Sequence, residues 1–500
     1  MNLKRVIAGA LSVAMLTLSG CSKQYFDINN NPNQVTAASP VLVLPAALAT
    51  SGAYFSTEFP FLNLWMGYWN WSGNYSITLS DRNYQFTNGY FNGIWNDAYT
   101  NLKNYNYIDQ QGATLNQPYL QGMAKIMKAL HFQYLVDTYG NIPYTQALQG
   151  ITTPTPTYDD QVAVYEDLFK QIDAGLALFA TGDQQAAAGA TVLNPGANDI
   201  LFGGKIAQWR KFANTLKLRM LLRQSEKPGR QAFIQAQLAI LKNSGFGFLG
   251  TGENAQVNPG YANSTNQQNP FYAFFGYGVT GSPTDQNNQY RANKYALDFY
   301  RSTNDPRIGA YYFPVGGPTG TAFFATNFGD LANAQPNTSV SAIGPALLQS
   351  ATQAAVIMSS HEALFLQAEA ANRGWITGDA KALYQQAITD SFVNAGLTAA
   401  QATAYYSQAI DNVGYDASTN KLTAIITQKW ASLNGYSPFE AWSDYRRLGI
   451  PNVPISLSAS NIRQIPVRLL YPQSEYQYNA ANVGAQGTIS QFTSKIFWVR

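Results

Sequence analysis

The chain has 500 residues, of which 46% are hydrophobic and 14% aromatic but only 12% charged, with a formal charge of +3. That length holds one large domain or up to about three ordinary ones, and the charged share is about half of what soluble domains usually carry. The surface must therefore be wetted mainly by Asn, Gln, Ser, Thr and Tyr, which suits a neutral polar ligand. No basic stripe of the kind that neutralises phosphates is present, which excludes nucleic acid as a partner. The lone cysteine, Cys21, excludes an internal disulfide and a cysteine-based zinc site.

Residues 1–20 read as a signal peptide. Lys4 and Arg5 form its positive start, and Val6 to Leu18 is an apolar run too short to span a bilayer. Leu18-Ser19-Gly20-Cys21 follows, a lipobox-like sequence in which small residues precede the cysteine that is to be acylated. Two or more acyl chains on Cys21 would make anchoring stable. Ser22 stands next, in place of the Asp associated with inner-membrane retention, which favours the outer membrane. Residues 21–40 read as a lipidated tether with turn chemistry at Asn30-Asn31-Pro32-Asn33, and residues 41–500 as a single domain. No later run is expected to cross a membrane.

Helical spacing dominates the body. Leu120, Met123, Ala124, Met127 and Leu130 predict a helix over 118–137, and Val162, Tyr165, Leu168, Phe169 and Ile172 another over 158–179. Further pairs are predicted over 199–222 and 228–243, 354–373 and 378–394, and 420–433 and 437–448. These read as helical hairpins joined by short loops. In the fourth pair Leu364, Ala368, Gly374, Ala380, Tyr384 and Ala387 keep much of the spacing of a tetratricopeptide unit, with small residues for close helix approach and Tyr384 as a wedge.

Two stretches break the helical pattern. Residues 54–107 are crowded with aromatics, and residues 245–345 are a loop-rich insert dense in Gly, Asn, Gln, Pro and aromatics; long loops of this kind usually carry function. The first offers Trp65, Trp69, Trp71 and Tyr75 beside Asn70 and Asn74. The second offers Tyr272, Phe275, Tyr277, Tyr290 and Arg291 beside Asn287 and Asn288. Flat rings for sugar C–H faces and planar groups for hydroxyls are the chemistry that carbohydrate binding needs. The two stretches are expected to meet and form a ligand-binding face.

Signals for catalysis or metal binding are poor. His131 and His361 fall in helical segments and read as packing residues. Asp159-Asp160 is adjacent, so its carboxyls cannot face one another across a glycosidic bond; a helix cap near Gln161 is expected instead. Gly203-Gly204-Lys205 lacks the rest of a phosphate loop. Asp444, Arg446 and Arg447 read as structural ion pairs. No catalytic residue, metal ligand or cofactor is assigned.

Several segments together resemble the SusD/RagB family of nutrient-binding outer-membrane lipoproteins. They are Asp27 to Asn33, Leu42 to Leu48, Asp137 to Tyr144, Glu440 to Arg447, Pro466 to Tyr476 and the terminal Phe497-Trp498. The resemblance implies an all-α fold in which tetratricopeptide-like hairpins scaffold a large irregular binding face. It implies an oligosaccharide ligand, with peptide as the alternative, and a SusC-like TonB-dependent transporter that receives it at the cell surface. Readings from other classes are a surface glycoside hydrolase or a helical adaptor.

Overall fold

The apolar spacing that predicts helices is realised in space as buried stripes. The computed structural model describes residues 38–75, 78–458, 462 and 464–500, so the signal peptide, Cys21 and nearly all of the tether lie outside the described residues. Twelve helices of eight or more residues are described. They are α1 Pro40–Thr57, α2 Gly93–Thr114, α3 Pro118–Tyr139, α4 Gln161–Ala187, α5 Ile206–Arg223, α6 Gln231–Ser244, α7 Lys294–Ser302, α8 Ser360–Asn372, α9 Ala380–Asn394, α10 Ala399–Tyr406, α11 Lys421–Ser432 and α12 Pro438–Leu448. Strands are two to four residues long and pair only as two-stranded ribbons: β1 Trp69–Trp71 with β5 Tyr290–Ala292, β2 Ile142–Pro143 with β3 Tyr158–Asp159, and β4 Ala255–Val257 with β6 Ala355–Met358. The fold is helical, as expected.

Cap chemistry fixes where the helices begin. Asp160 accepts hydrogen bonds from the Val162 and Ala163 N–H groups at the start of α4, and Ser359, Asp379, Thr398 and Asn420 cap α8 to α11 in the same way. Asp159 instead accepts from Tyr144 N and Thr145 N, both at 2.9 Å, and holds the following loop. The pair is thus divided between a cap and a loop anchor.

One helix corrects the reading of residues 54–107. α2 occupies the end of that stretch, because Ile94, Ala98, Leu102, Tyr105 and Ile108 form one buried stripe. The intervening Asn and Tyr residues dilute the helical signal in sequence. A second correction concerns α1: Pro40–Trp65 is long and apolar enough for a membrane span by composition. Leu44, Ala47, Leu48 and Ser51 nevertheless pack in the protein interior, against α2 and β6. It is a core helix.

α3 is almost wholly buried and lies between α2 and α4. A Cβ at Gly122 would come within 2.8 Å of the Gly175 carbonyl, so these two glycines let α3 and α4 approach closely. Leu364, Ala368, Tyr384 and Ala387 meet in a separate apolar cluster between α8, α9 and α11, and the Tyr384 hydroxyl donates to the Val413 carbonyl at 2.7 Å.

A buried ionic network ties the helices together. Arg219 of α5 contacts Glu362 of α8 at 3.2 Å and Gln133 of α3 at 2.9 Å. One turn on, Arg223 donates to Glu440 of α12 at 2.6 Å and to Asp137 of α3 at 3.2 Å. Arg447 pairs with Glu369 at 2.5 Å and with Asp444 at 2.7 Å. Arg446 lies over the Trp442 ring at 3.4 Å and donates to the Asp137 carbonyl at 2.6 Å, while Trp498 Nε1 donates to Asp137 Oδ1 at 2.7 Å. Asp137, Glu440 to Arg447, Val467 and Trp498, each from a segment that carries the family resemblance, meet here, and Asp444, Arg446 and Arg447 have structural surroundings.

Candidate functional site

The two aromatic stretches meet through the β1–β5 ribbon. Its antiparallel register sets Trp69 opposite Ala292, Asn70 opposite Arg291 and Trp71 opposite Tyr290. Local sequence positions the second strand. Asn269 caps a short helix over Pro270–Phe275, Thr284 caps another over Asp285–Gln289, and β5 follows at once.

Side chains alternate across a strand, and the ribbon sorts the expected site residues accordingly. Trp69, Trp71 and Tyr290 share one face. Trp69 is 0% exposed and packs on Phe275 at 5.1 Å and Tyr290 at 5.6 Å. Phe275 is 1% and Tyr290 6% exposed. Trp65, 1% exposed, packs on Phe61 at 4.7 Å and Trp442 at 6.2 Å, with its Nε1 donating to the Asp81 carbonyl at 3.2 Å. These four corrections share one cause. A ring whose faces are covered by other rings has none left for a sugar, so Trp65, Trp69, Phe275 and Tyr290 form the packing layer beneath the face. Trp71 is half-buried at the ribbon edge, in a T-shaped contact with Tyr290 at 5.6 Å.

The other side of the ribbon gathers Arg291, Tyr75, Tyr277 and Tyr272. Arg291 Nε donates to the Asn337 carbonyl at 3.1 Å, and its Nη1 donates to the carbonyls of Tyr290, at 2.9 Å, and Asn287. Among the described residues its Nη2 has no hydrogen-bond partner and no carboxylate pairs with the guanidinium. Burial pushes this guanidinium down to about 10, opposed by the nearby hydroxyls of Tyr277 and Tyr75; it stays charged at neutral pH. Tyr272 and Tyr277 lie 6.0 Å apart at an interplanar angle of 48°. Tyr75, Tyr272 and Tyr277 are all partly exposed. Arg291 is itself only 6% exposed, so the surface a hydroxyl-rich ligand can reach here is made by the partly exposed phenols, with the guanidinium fixed behind Tyr75 and Tyr277.

Asn337, which sequence reasoning missed, joins two amides that it named, Asn74 and Asn288. Asn337 Nδ2 donates to Asn288 Oδ1 at 3.1 Å, and its backbone N–H donates to Asn74 Oδ1 at 2.5 Å. The Asn-Ala-Gln-Pro-Asn sequence at 333–337 is turn chemistry that marks a loop, but nothing in it shows which loop it will touch.

Possible acid–base groups have structural surroundings. His131 is sealed in the core with Nε2 2.8 Å from Ser51 Oγ, and burial pushes it down to about 3; His361 is also held near 3, by burial and by Arg307. Glu58 is pushed up to about 7, by burial first and by Asp97 second. Among the described residues no three His, Cys, Asp or Glu side chains gather as a metal site.

Known proteins can now be set against this geometry. Residues 32–472 match the model of the SusD-like family described as "starch-binding associating with outer membrane". The chain belongs to that family. Its members are nutrient-binding proteins of the outer membrane, not enzymes. Among solved structures, the SusD-like chain resembles a chitin-binding protein at 25% identity and a TM-score of 0.72, over 92% of this chain and all of that one. A chitin-binding SusD homolog from Flavobacterium johnsoniae matches at 22% identity and a TM-score of 0.73, over 91% and 98% of the two chains. A SusD homolog from Bacteroides uniformis matches at 22% and 0.74, over 93% and 100%. No curated protein sequence is similar to this one.

Proposed function

We propose that this SusD-like protein is anchored by lipid on Cys21 in the outer membrane, captures oligosaccharide at the cell surface and hands it to a SusC-like TonB-dependent transporter. The observation that carries the ligand reading is the Arg291 cluster: a guanidinium held by three backbone carbonyls, with one nitrogen free, beside Tyr75, Tyr272 and Tyr277. The names of the chitin-binding neighbours support a glycan as the cargo. Family membership supports the outer-membrane location and a transporter partner in general. The single-domain reading of residues 41–500 belongs to the same proposal.

Calorimetry of the detergent-solubilised mature protein against chitin-, starch- and xylan-derived oligosaccharides and mixed peptides tests the ligand class. Glycan binding that weakens about tenfold in Tyr277→Ala is the expected result, by analogy with the ~1–3 kcal/mol of aromatic stacking on a base. Binding of peptides and of no glycan would overturn it. The anchor has its own test: Cys21→Ala is expected to move the protein from the membrane to the soluble fraction.

A further inference from the structure

α2 carries a second candidate site on its outer side. Trp95, Asn96, Tyr99, Thr100 and Lys103 line a cleft of about 400 Å³, closed on its other side by Pro143, Leu148, Pro156 and Glu475. Asn106 and Gln110, further along the same helix, line a second cleft of about 430 Å³ with Phe132, Tyr144 and Gln149. Both volumes are in the range of about 300–1,000 Å³ usual for small-ligand sites. Ala147 and Leu148 border both clefts. From Asn96 to Gln110 the helix rises about 21 Å, so the two clefts lie along one line.

A row of rings runs along the groove, of which Tyr99 and Tyr144 are half-buried while Trp95 and Phe132 are each only 4% exposed. Trp95 and Tyr99 are 5.0 Å apart, Tyr99 and Phe132 6.1 Å, and Phe132 and Tyr144 4.8 Å. Most charges beside the row are already engaged: Lys128 with Asp109 at 2.6 Å, and Asp167 with the Tyr144 hydroxyl at 2.6 Å. The side-chain amides of Asn96 and Gln110 make no hydrogen bond with the described residues, one at either end of the row. Leu148, which stands between the clefts, has φ +64°, a left-handed conformation that favours glycine and that branched side chains seldom hold. Strain of this kind collects at binding sites.

We infer that this groove is a second carbohydrate site, separate from the Arg291 cluster, that binds a neutral glycan strand along α2 against the half-buried rings of Tyr99 and Tyr144. Rings on the floor and free amides at both ends suit a ligand that is apolar on its ring faces and hydroxylated at its edges. The inference rests on the proposed glycan-capture function.

Titration of the mature protein with triacetylchitotriose and with maltotriose, read by calorimetric stoichiometry, tests it. Thr100 is exposed, so Thr100→Trp fills the first cleft without touching the core, and unchanged thermal unfolding would check that. Two equivalents of one trisaccharide are expected in wild type, two in Tyr277→Ala with one of them weakened about tenfold, one in Thr100→Trp, and one weakened equivalent in the double variant. One equivalent in wild type, weakened in Tyr277→Ala and unaltered in Thr100→Trp, would overturn the second site and leave the capture function standing. One equivalent lost only in Thr100→Trp would support the groove and move the proposed capture site onto it. No saturable binding of either sugar by wild type would overturn both.

Discussion

The buried network around Arg219 and Arg223 and the loop face around Arg291 both use arginine, and to opposite ends. In the network Arg219, Arg223 and Arg447 meet carboxylates, Arg223 at Asp137 and Glu440 and Arg447 at Glu369 and Asp444, while Arg446 is held by the Asp137 and Val467 carbonyls and the Trp442 ring. At the face Arg291 meets only backbone carbonyls, and one nitrogen is left over. A cation whose partners are all internal fixes the packing of helices. Arg446 is also held by carbonyls but lies against the Trp442 and Trp498 rings, whereas Arg291 lies beside the partly exposed Tyr75 and Tyr277. The contrast separates scaffold from site without reference to conservation.

The largest test of this comparison is Arg223→Ala. It leaves the buried Asp137 carboxylate without its ion-pair partner and Glu440 with Arg219 at 3.5 Å, and breaking a buried pair in this way costs about 3–5 kcal/mol. Denaturant and thermal unfolding should show a large loss of stability, and an unfolding midpoint equal to wild type would show that the network is dispensable. Trp69→Ala belongs with it: removal of a buried Trp costs about 3–5 kcal/mol, so its effect should appear in unfolding.

At the face the effect moves to affinity. Arg291→Gln keeps some hydrogen bonding and removes the charge, and is expected to weaken glycan binding by about tenfold while unfolding shifts little. A large unfolding shift without change in affinity would place Arg291 in the scaffold after all.

Glu58 gives a smaller effect that depends on pH. Its folded value of about 7 lies above the ordinary 4.5, because burial and Asp97 favour the neutral form. Folding is therefore weakened as pH rises from about 4.5 to about 7 and stays weakened above it. Glu58→Gln should be more stable than wild type at pH 8, by on the order of 1–2 kcal/mol after allowance for solvent screening. The two should converge below pH 4.5, and parallel stability curves across this window would refute the assignment. The smallest effect is Asp160→Ala, a lost cap worth about 1 kcal/mol, with no change in ligand binding; lost binding would show that the Asp159-Asp160 pair does more than hold α4 and its loop.

The sequence alone set out the helical scaffold, because periodicity, caps and turn residues are local: the helices at 118–139 and 380–394 begin and end near where their apolar spacing and capping residues place them, and the helix at 161–187 begins at its Asp160 cap but runs on past the expected end at 179. α2 escaped because Asn and Tyr occupy its outer positions, where they hide the stripe from Ile94 to Ile108. It also indicated which two stretches hold the aromatics, but not which rings face outward. Trp69 and Trp71 are the same residue two positions apart on one strand face; one is sealed beneath Phe275 and Tyr290 and the other stands at the edge. Composition cannot separate them, since exposure depends on what packs above a ring, and here that comes from residues about 200 positions away. The groove along α2 has the same origin, because its roof at Ala147–Leu148 and Glu475 is brought to the helix only by the tertiary fold.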